Sequence, residues 1–456
     1  MVSRPDPNSA AAITGSPPAA AERERTLFQA GAQGPKAGAS RGGSTIATSA
    51  LSRLLDRLDA LAGVSDEPGR LTRLAYGPAW LHATGLVRGW MGEAGLATRL
   101  DAVGNLVGRL EGARPGAPAV LLGSHLDTVI DAGRFDGVLG VLLGLAAVEA
   151  VREAGHVPPF ALEVGAFADE EGVRFPCALT GSRAMAGTLD PAVLEGRDRD
   201  GVSLAEALRG CGLDPAGIAA CARRREEVLA YLEAHIEQGP VLDREGLPLG
   251  LVTAIAGAVR LRVEIRGEAG HAGTVPMALR RDALCAAAEA ILGVERLARG
   301  GEGLVATVGR IEAAPGAVNT IPGRVVFTVD LRSAEDEARA RAEESLRALV
   351  GETARRRGLA ARVETTHAAP AVACDARLVG TLGRACARHG IPERRLVSGA
   401  GHDAMAMAAL APTAMLFLRC RDGISHDPGE AARPEDVAAA LEVLVTTIDL
   451  LAEEHR

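Results

Sequence analysis

Aromatic residues are scarce in this 456-residue chain, only 2% of it, so its core must be built from Ala, Leu and Val. No block of Lys and Arg stands out and the net charge is −8, which argues against nucleic acid as a partner. No apolar run reaches the roughly 18 residues that a membrane helix needs. Cysteine is sparse: there are seven, an odd number, with no CxxC spacing. That pattern predicts reduced thiols in a cytoplasmic protein rather than a disulfide framework. Hydrophobic (47%) and charged (24%) fractions are those of a soluble globular chain, long enough for two or three domains.

Residues 1–45 are rich in Ala, Gly, Ser and Pro and lack a long apolar period. They read as a disordered leader. Arg4, Arg23 and Arg25 raise the thought of a transit peptide, but Asp6, Glu22 and Glu24 argue against it, and a secretory apolar core is missing.

From residue 46 helical and strand patterns alternate. Leu51, Leu54, Leu55, Leu58 and Leu61 recur at helical spacing. The apolar run 119–123 predicts a buried parallel strand ending at Ser124–His125, and 137–151 a buried helix. A second strand, 161–168, ends at Asp169–Glu170–Glu171. Two charged motifs thus follow strand C-termini, the usual place for sites in open α/β sheets. His235 lies on 228–236, read as a strand or short helix. Residues 259–267 alternate apolar and charged, as in a sheet with one wet face. Helix 282–297, strands 304–311 and 325–331, and helix 335–349 follow. That order is ferredoxin-like. The fold class is therefore α/β: a catalytic domain with a mixed, mainly parallel sheet flanked by helices, plus an inserted ferredoxin-like α+β lid. The expected boundaries are 46–251 and 368–456 for the catalytic domain and 252–367 for the lid.

Five residues have metal-ligand chemistry, each in an unusual motif: His125 and Asp136 (SHLDTVIDAGRFDG), Glu171 (ADEEGVRFP), His235 (AHIEQGPVL) and His426 (DGISHDPGE). Three imidazoles and two carboxylates suit zinc or manganese. Five ligands are too many for one catalytic metal and about right for two sharing a carboxylate. A lone His is more often structural, and a Glu–Glu pair is more often a solvated feature. Here Asp127 stands two residues from His125, where a carboxylate can fix a ligand's tautomer. Glu170–Glu171 follows an apolar strand, and such a pair can divide metal binding from proton transfer.

These motifs, with LTRLAYGPAWL, GHAGTVPMALRRDAL, AVNTIPGRVVFTVDLR and SGAGHDAMAM, resemble those of the two-domain, dinuclear metal-dependent amidohydrolases of the hydantoinase/carbamoylase branch, relatives of aminoacylases. The resemblance covers about residues 50–452. It implies two divalent ions, Mn or Zn, with His125 and His235 on one, Glu171 and His426 on the other and Asp136 between them. It makes Asp127 the residue that orients His125, and Glu170 the base that deprotonates the attacking water and passes the proton to the leaving amine. On the substrate side it implies His271, which could stabilise an oxyanion, Asn319, and Arg332, which could grip a carboxylate through two hydrogen bonds. Arg260, Gln238, Gly401 and His402 match further substrate-side positions. Asn319 could instead be only a turn residue, and Arg332 a surface ion pair. The implied assembly is a homodimer that takes a small ureide and has no nucleic-acid or membrane partner. The implied reaction cleaves a C–N bond of allantoate to ureidoglycine, ammonia and carbon dioxide. N-carbamoyl-L-amino acids or β-ureidopropionate are the alternative substrates. One departure bears on that choice: Ala258 stands where allantoate-cleaving relatives often have Gln. A scaffold that had lost catalysis would be expected to have lost ligands, and this chain keeps all five and Glu170.

Overall fold

The computed structural model describes residues 43–456. The expected leader falls almost wholly outside the described residues, and the first helix, Gly43–Ala62, buries Leu54, Leu58 and Leu61. The strands in chain order are β1 (Ala97–Leu100), β2 (Leu106–Leu110), β3 (Ala119–His125), β4 (Ala161–Phe167), β5 (Val228–Ile236), β6 (Leu249–Ile255), β7 (Gly257–Arg266) and β8 (Gly270–His271). They continue with β9 (Leu304–Thr307), β10 (Ile311–Ala314), β11 (Thr320–Ile321), β12 (Arg324–Ser333), β13 (Ala360–Ala369), β14 (Val372–Ala373), β15 (Arg395–Ser398) and β16 (Thr413–Leu418).

The larger sheet has the order β1-β2-β4-β3-β5-β16-β6-β14, with β15 beside β6. Its centre, β4-β3-β5-β16, is parallel. Its flanks β1, β2, β6 and β14 pair antiparallel. Parallel strands covered on both faces must be apolar throughout. Every residue of β3, β4 and β16 is accordingly buried. The crossover helix Val138–Glu153 is buried from Val138 to Val151 and apolar there except for Glu149, which pairs with Arg57, as expected of a helix enclosed on nearly all sides. The order of these strands puts the C-terminal ends of β3, β4, β5 and β16 side by side.

The second sheet is wholly antiparallel, β10-β12-β7-β13, with β9 extending the β10 side of β12. The predicted single strand 304–311 is two short ones, β9 and β10, divided at Val308–Arg310. Counted as one interrupted strand they complete the ferredoxin-like order. Helices Ala283–Gly300 and Asp336–Arg356 cover one face of this sheet, where Val259, Leu261, Val263, Val329 and Leu331 are buried beneath them. Two short links join the sheets, Ala256 between β6 and β7 and Pro370–Ala371 between β13 and β14.

Candidate metal centre and active site

Strand register brings the first two histidines together. His125 is paired with Phe167 across β3–β4, and His235 with Phe417 across β5–β16. Their rings lie 6.0 Å apart. Asp136, at the end of the loop that follows β3, reaches between them. Its Oδ1 is 3.1 Å from His235 Nε2 and 3.8 Å from His125 Nε2. Its Oδ2 faces the other way, 3.2 Å from His426 Nε2, and that nitrogen is 3.9 Å from Glu171 Oε2. Ligand atoms of His125, Asp136 and His235, and of Asp136, Glu171 and His426, fall within 4.8 Å of one another in each trio. The structure thus gathers all five residues around Asp136.

The donor chemistry of this cluster fits cations. Nδ1 of His125 and of His235 faces a backbone carbonyl at 2.9 Å, from Asp127 and Ile236 respectively. A neutral ring that donates from Nδ1 presents a bare Nε2 lone pair. Both lone pairs then point at a carboxylate oxygen, an arrangement that needs a positive charge between them. Burial works against a charged His235, yet the hydrogen bond and charge of Asp136 outweigh it and push the imidazole up to about 9. Glu171 Oε1 is buried without a hydrogen-bond partner. Burial lifts the Glu171 carboxyl to about 7. The residues present therefore suit two divalent ions sharing Asp136.

Glu170 lies beside the cluster, its Oε2 3.8 Å from His125 Nε2. Burial, reinforced by the charges of Glu171 and Asp403, pushes its carboxyl well above the ordinary range. Asp127 holds this loop in place, but not as its sequence position suggested. The group that faces the His125 ring is the Asp127 carbonyl, whereas its carboxylate accepts from the backbone N–H of Glu170 (3.2 Å) and Glu171 (3.1 Å). Backbone strain collects here as well. Asp169, Gln238 and His426 all have φ of 55–57°, a left-handed conformation that is uncommon outside glycine and costs about 1–3 kcal/mol at each such site. Gly137 has φ 66°, and a Cβ on it would sit 2.3 Å from the His125 ring.

The substrate-side residues divide into four groups. Gln238 is drawn into the metal cluster, its Nε2 3.0 Å from Asp136 Oδ2 and 3.3 Å from His426 Nε2. It touches the same acceptors that would hold the second ion. His402 is buried, its ring 4.4 Å from that of His235 and its Nε2 2.8 Å from Ser398 Oγ, while Gly401 is exposed one residue before it. Burial, with His235 next to it, holds this imidazole well below its ordinary value, so it is neutral. Arg332 and Arg260 lie on the second sheet and share Asp330. Arg332 donates to both its oxygens (2.7 and 3.0 Å) and Arg260 to one (3.1 Å). Arg332 also crosses to the first sheet, donating to the Gly399 carbonyl at 2.5 Å. His271 and Asn319 are exposed, and are held together by the β8–β11 ribbon and the Ala272 N–H to Asn319 carbonyl bond. Among the described residues no hydrogen bond or ion pair joins these two to the five-residue cluster.

Three residues with no assigned role turn out to frame the site. Glu430 is buried, and its Oε1 accepts from the backbone N–H of Phe135 (2.8 Å) and Asp136 (3.1 Å) while Ser425 donates to its Oε2 (3.0 Å). Arg73 is buried among carbonyls and donates to Leu126, Leu61 and Val64, anchoring the segment after β3. Burial pulls its guanidinium down to about 10 against the charge of Asp127. Glu233 is buried beneath the histidines, accepting from Ser124, Tyr231 and the Ala404 N–H. Glu430 and Arg73 lie inside the distinctive motifs, but only the fold shows the backbone groups they meet.

Comparison with known proteins agrees with this architecture. Residues 121–450 match the model of peptidase family M20/M25/M40. The chain is 44% identical over 402 residues to an N-carbamoyl-L-amino acid amidohydrolase of Geobacillus stearothermophilus, covering 88% of this chain and 98% of that one. It is 42% identical to a probable allantoate deiminase of Oryza sativa subsp. japonica, covering 86% and 87%. A solved hydantoinase/carbamoylase family amidase from Burkholderia multivorans superposes with a TM-score of 0.83 at 36% identity, over 87% of this chain and 97% of that one. By fold, by the site's position and by sequence, the chain belongs to peptidase family M20/M25/M40, and it is a hydrolase of carbamoyl or ureido C–N bonds.

Proposed function

We propose that this enzyme hydrolyses the terminal ureido group of a small carboxylic acid at a centre of two divalent ions, Mn or Zn. The observation that carries the reading is the convergence of His125, Asp136, Glu171, His235 and His426 with Glu170 at one end of the parallel strands. His125 and His235 would hold one ion, Glu171 and His426 the other, and Asp136 both. When bound, such ions make water acidic enough to ionise near neutrality and polarise the scissile carbonyl. Glu170 takes a proton from the attacking water and delivers it to the departing nitrogen. Its raised proton affinity suits both halves of that task. The ureido carbon takes up the water oxygen, its C–N bond breaks, and the fragments are the amine, ammonia and carbon dioxide. Arg332 anchors the substrate carboxylate, and Arg260 holds Asp330 against it.

The segment 252–367 would act as a lid and as the contact of a homodimer, with His271 and Asn319 reaching the partner's substrate. Two substrates fit the scheme. Allantoate is supported by the motif resemblance and by relatives named allantoate deiminase, such as that of Arabidopsis thaliana at 40% identity. N-carbamoyl-L-amino acids are supported by the 44% relatives and by Ala258, which offers a second ureido group no amide. The test is ammonia release from both, side by side, with metal-stripped protein reloaded with Mn²⁺ or Zn²⁺. Metal-dependent turnover of either is expected, and the absence of turnover on both would refute the proposal.

A further inference from the structure

The face of the second sheet that no helix covers carries a register row. Arg332 of β12 is paired with Ala258 of β7 on one side and with Val305 of β9 on the other. Ala369 of β13 continues the row beyond Ala258. Directly cross-strand residues project to the same face, so the guanidinium rises between two alanines and a valine. Their sequence neighbours Val259 and Leu331 point to the helices and are buried. Beside Arg332 lies a cavity of about 570 Å³. Its apolar wall includes Val305, Leu304, Ala256 and, from the first sheet, Val397. Val305 is 61% exposed and Val397 47%, large apolar side chains left open on both sides of a cleft.

The polar groups of this wall are mostly committed. Asp330 is taken by Arg260 and Arg332, and Ser333 Oγ accepts from the Glu335 backbone. Among the described residues that leaves the hydroxyl of exposed Thr307. Arg332 itself has five N–H donors and uses three, on Asp330 and Gly399. Two donors therefore remain for a ligand carboxylate. Gly399 on the cavity wall stands three residues before His402, whose ring packs on that of His235, so a short stretch of chain links the cavity to the metal cluster.

We infer that this cavity receives an aliphatic side chain on the carbon that bears the substrate's carboxylate. The preferred substrates would then be N-carbamoyl amino acids with medium apolar side chains. The inference rests on the ureido-hydrolase reading above and specifies its substrate. A second ureido group placed here would meet Val305, Val397 and Ala256, with the Thr307 hydroxyl alone among the side chains to take its several amide donors, and a donor left unpaired is punished more than a missing methylene. An isobutyl group would bury its methylenes against the same wall, each worth about tenfold or more in kcat/KM.

The experiment uses full-length, metal-loaded protein. Its readout is kcat/KM for N-carbamoylglycine, N-carbamoyl-L-alanine, N-carbamoyl-L-leucine and allantoate. The wild type should climb through the carbamoyl series, with leucine at least tenfold above glycine. Val305→Phe, which fills the cavity, should cut the leucine-to-glycine ratio at least tenfold. Val305→Ala, which only removes contact, should lower it about threefold and guards against a Phe variant that misfolds. Ala258→Gln should raise the allantoate-to-leucine ratio. A flat wild-type series, a wild-type preference for allantoate, or ratios unmoved by both Val305 variants would overturn the side-chain pocket while leaving the hydrolase reading intact. Absence of turnover on every ureido acid, N-carbamoylglycine included, would overturn both.

Discussion

Replacing Glu170 with Gln separates proton transfer from metal binding. The two side chains have the same shape, and the backbone N–H of residue 170 would still donate to Asp127, so the loop should keep its place. The side chain approaches His125 Nε2 at 3.8 Å and lies within 4.8 Å of a Glu171 oxygen, and it is not one of the five residues gathered on Asp136. What is lost is the proton carrier. General acid–base catalysis is worth about 10²- to 10⁴-fold, roughly 3–5 kcal/mol of transition-state stabilisation. Because one carboxyl serves both the attack and the departure of the amine, the upper part of that range is expected in kcat. The fold should not suffer. Burial and the neighbouring acids already oppose ionisation of this carboxyl, and an uncharged amide relieves that opposition. The assays are steady-state ammonia release, elemental analysis for metal and a thermal melt. Near-normal metal content and an unchanged or higher melting temperature should accompany the collapse of kcat. Turnover within about tenfold of wild type would remove Glu170 from the proton-transfer role, and loss of metal would make it a ligand instead.

Three further outcomes follow from the same geometry. In metal-free protein, burial lifts the carboxyls of Asp169 and Glu171 to about 7, above their unfolded values, and Asp136 holds His235 at about 9. All three bind protons more tightly when folded, so the stability they contribute should decline from pH 5 toward pH 7 and decline further to pH 9. Melts of stripped protein across pH 5–9 should show this, and Mn²⁺ or Zn²⁺ should flatten the slope; a stability that rises with pH would contradict the assignment. Glu430→Ala strips the acceptor from two backbone N–H groups beside Asp136 and should weaken metal binding about 10- to 100-fold, measured by competition with a chelator. Arg332→Lys keeps the charge but loses the fork and should raise KM about tenfold or more with metal content unchanged; an unaltered KM would place the carboxylate elsewhere.

The five residues that cluster on Asp136, and Glu170 beside them, were legible in the sequence because each lies in a dense local motif, and two of those motifs follow apolar runs that form buried strands. The two-sheet class was legible for a similar reason, since period-two alternation begins abruptly at Val259 after a stretch of apolar strands. What stayed hidden depends on distance in the chain. Glu430 acts on a backbone 294 residues away, and no residue type announces an acceptor for main-chain N–H groups. Arg73 looks like any surface cation until its three carbonyl partners are seen. Asp127 was read as a carboxylate beside a histidine, but a strand end offers its carbonyl at the same spacing, which leaves the carboxylate free to fix the next loop. The break between β9 and β10 falls at Val308–Arg310, and Gly309 was the one residue that could have marked it.

Where the two kinds of information lie in the fold explains why substrate is harder to read than chemistry. The metal cluster depends on residues whose chemical identity is itself the signal: an imidazole or a carboxylate either is present or is not. Discrimination between ureido acids depends on a row of small and apolar residues, Ala258, Val305 and Ala369, around one arginine. Alanine and valine are, with leucine, the main material of this chain's core, so in sequence they carry no mark of a site. Only the register makes them neighbours of Arg332, and only the uncovered face of the sheet makes them wall rather than core. The two sheets meet through two short links and the Arg332–Gly399 contact. Substitutions in the row should therefore act on KM and on substrate ratios, and substitutions in the cluster on kcat and metal content. Their free-energy effects should add within about 0.5 kcal/mol unless Arg332 itself is changed.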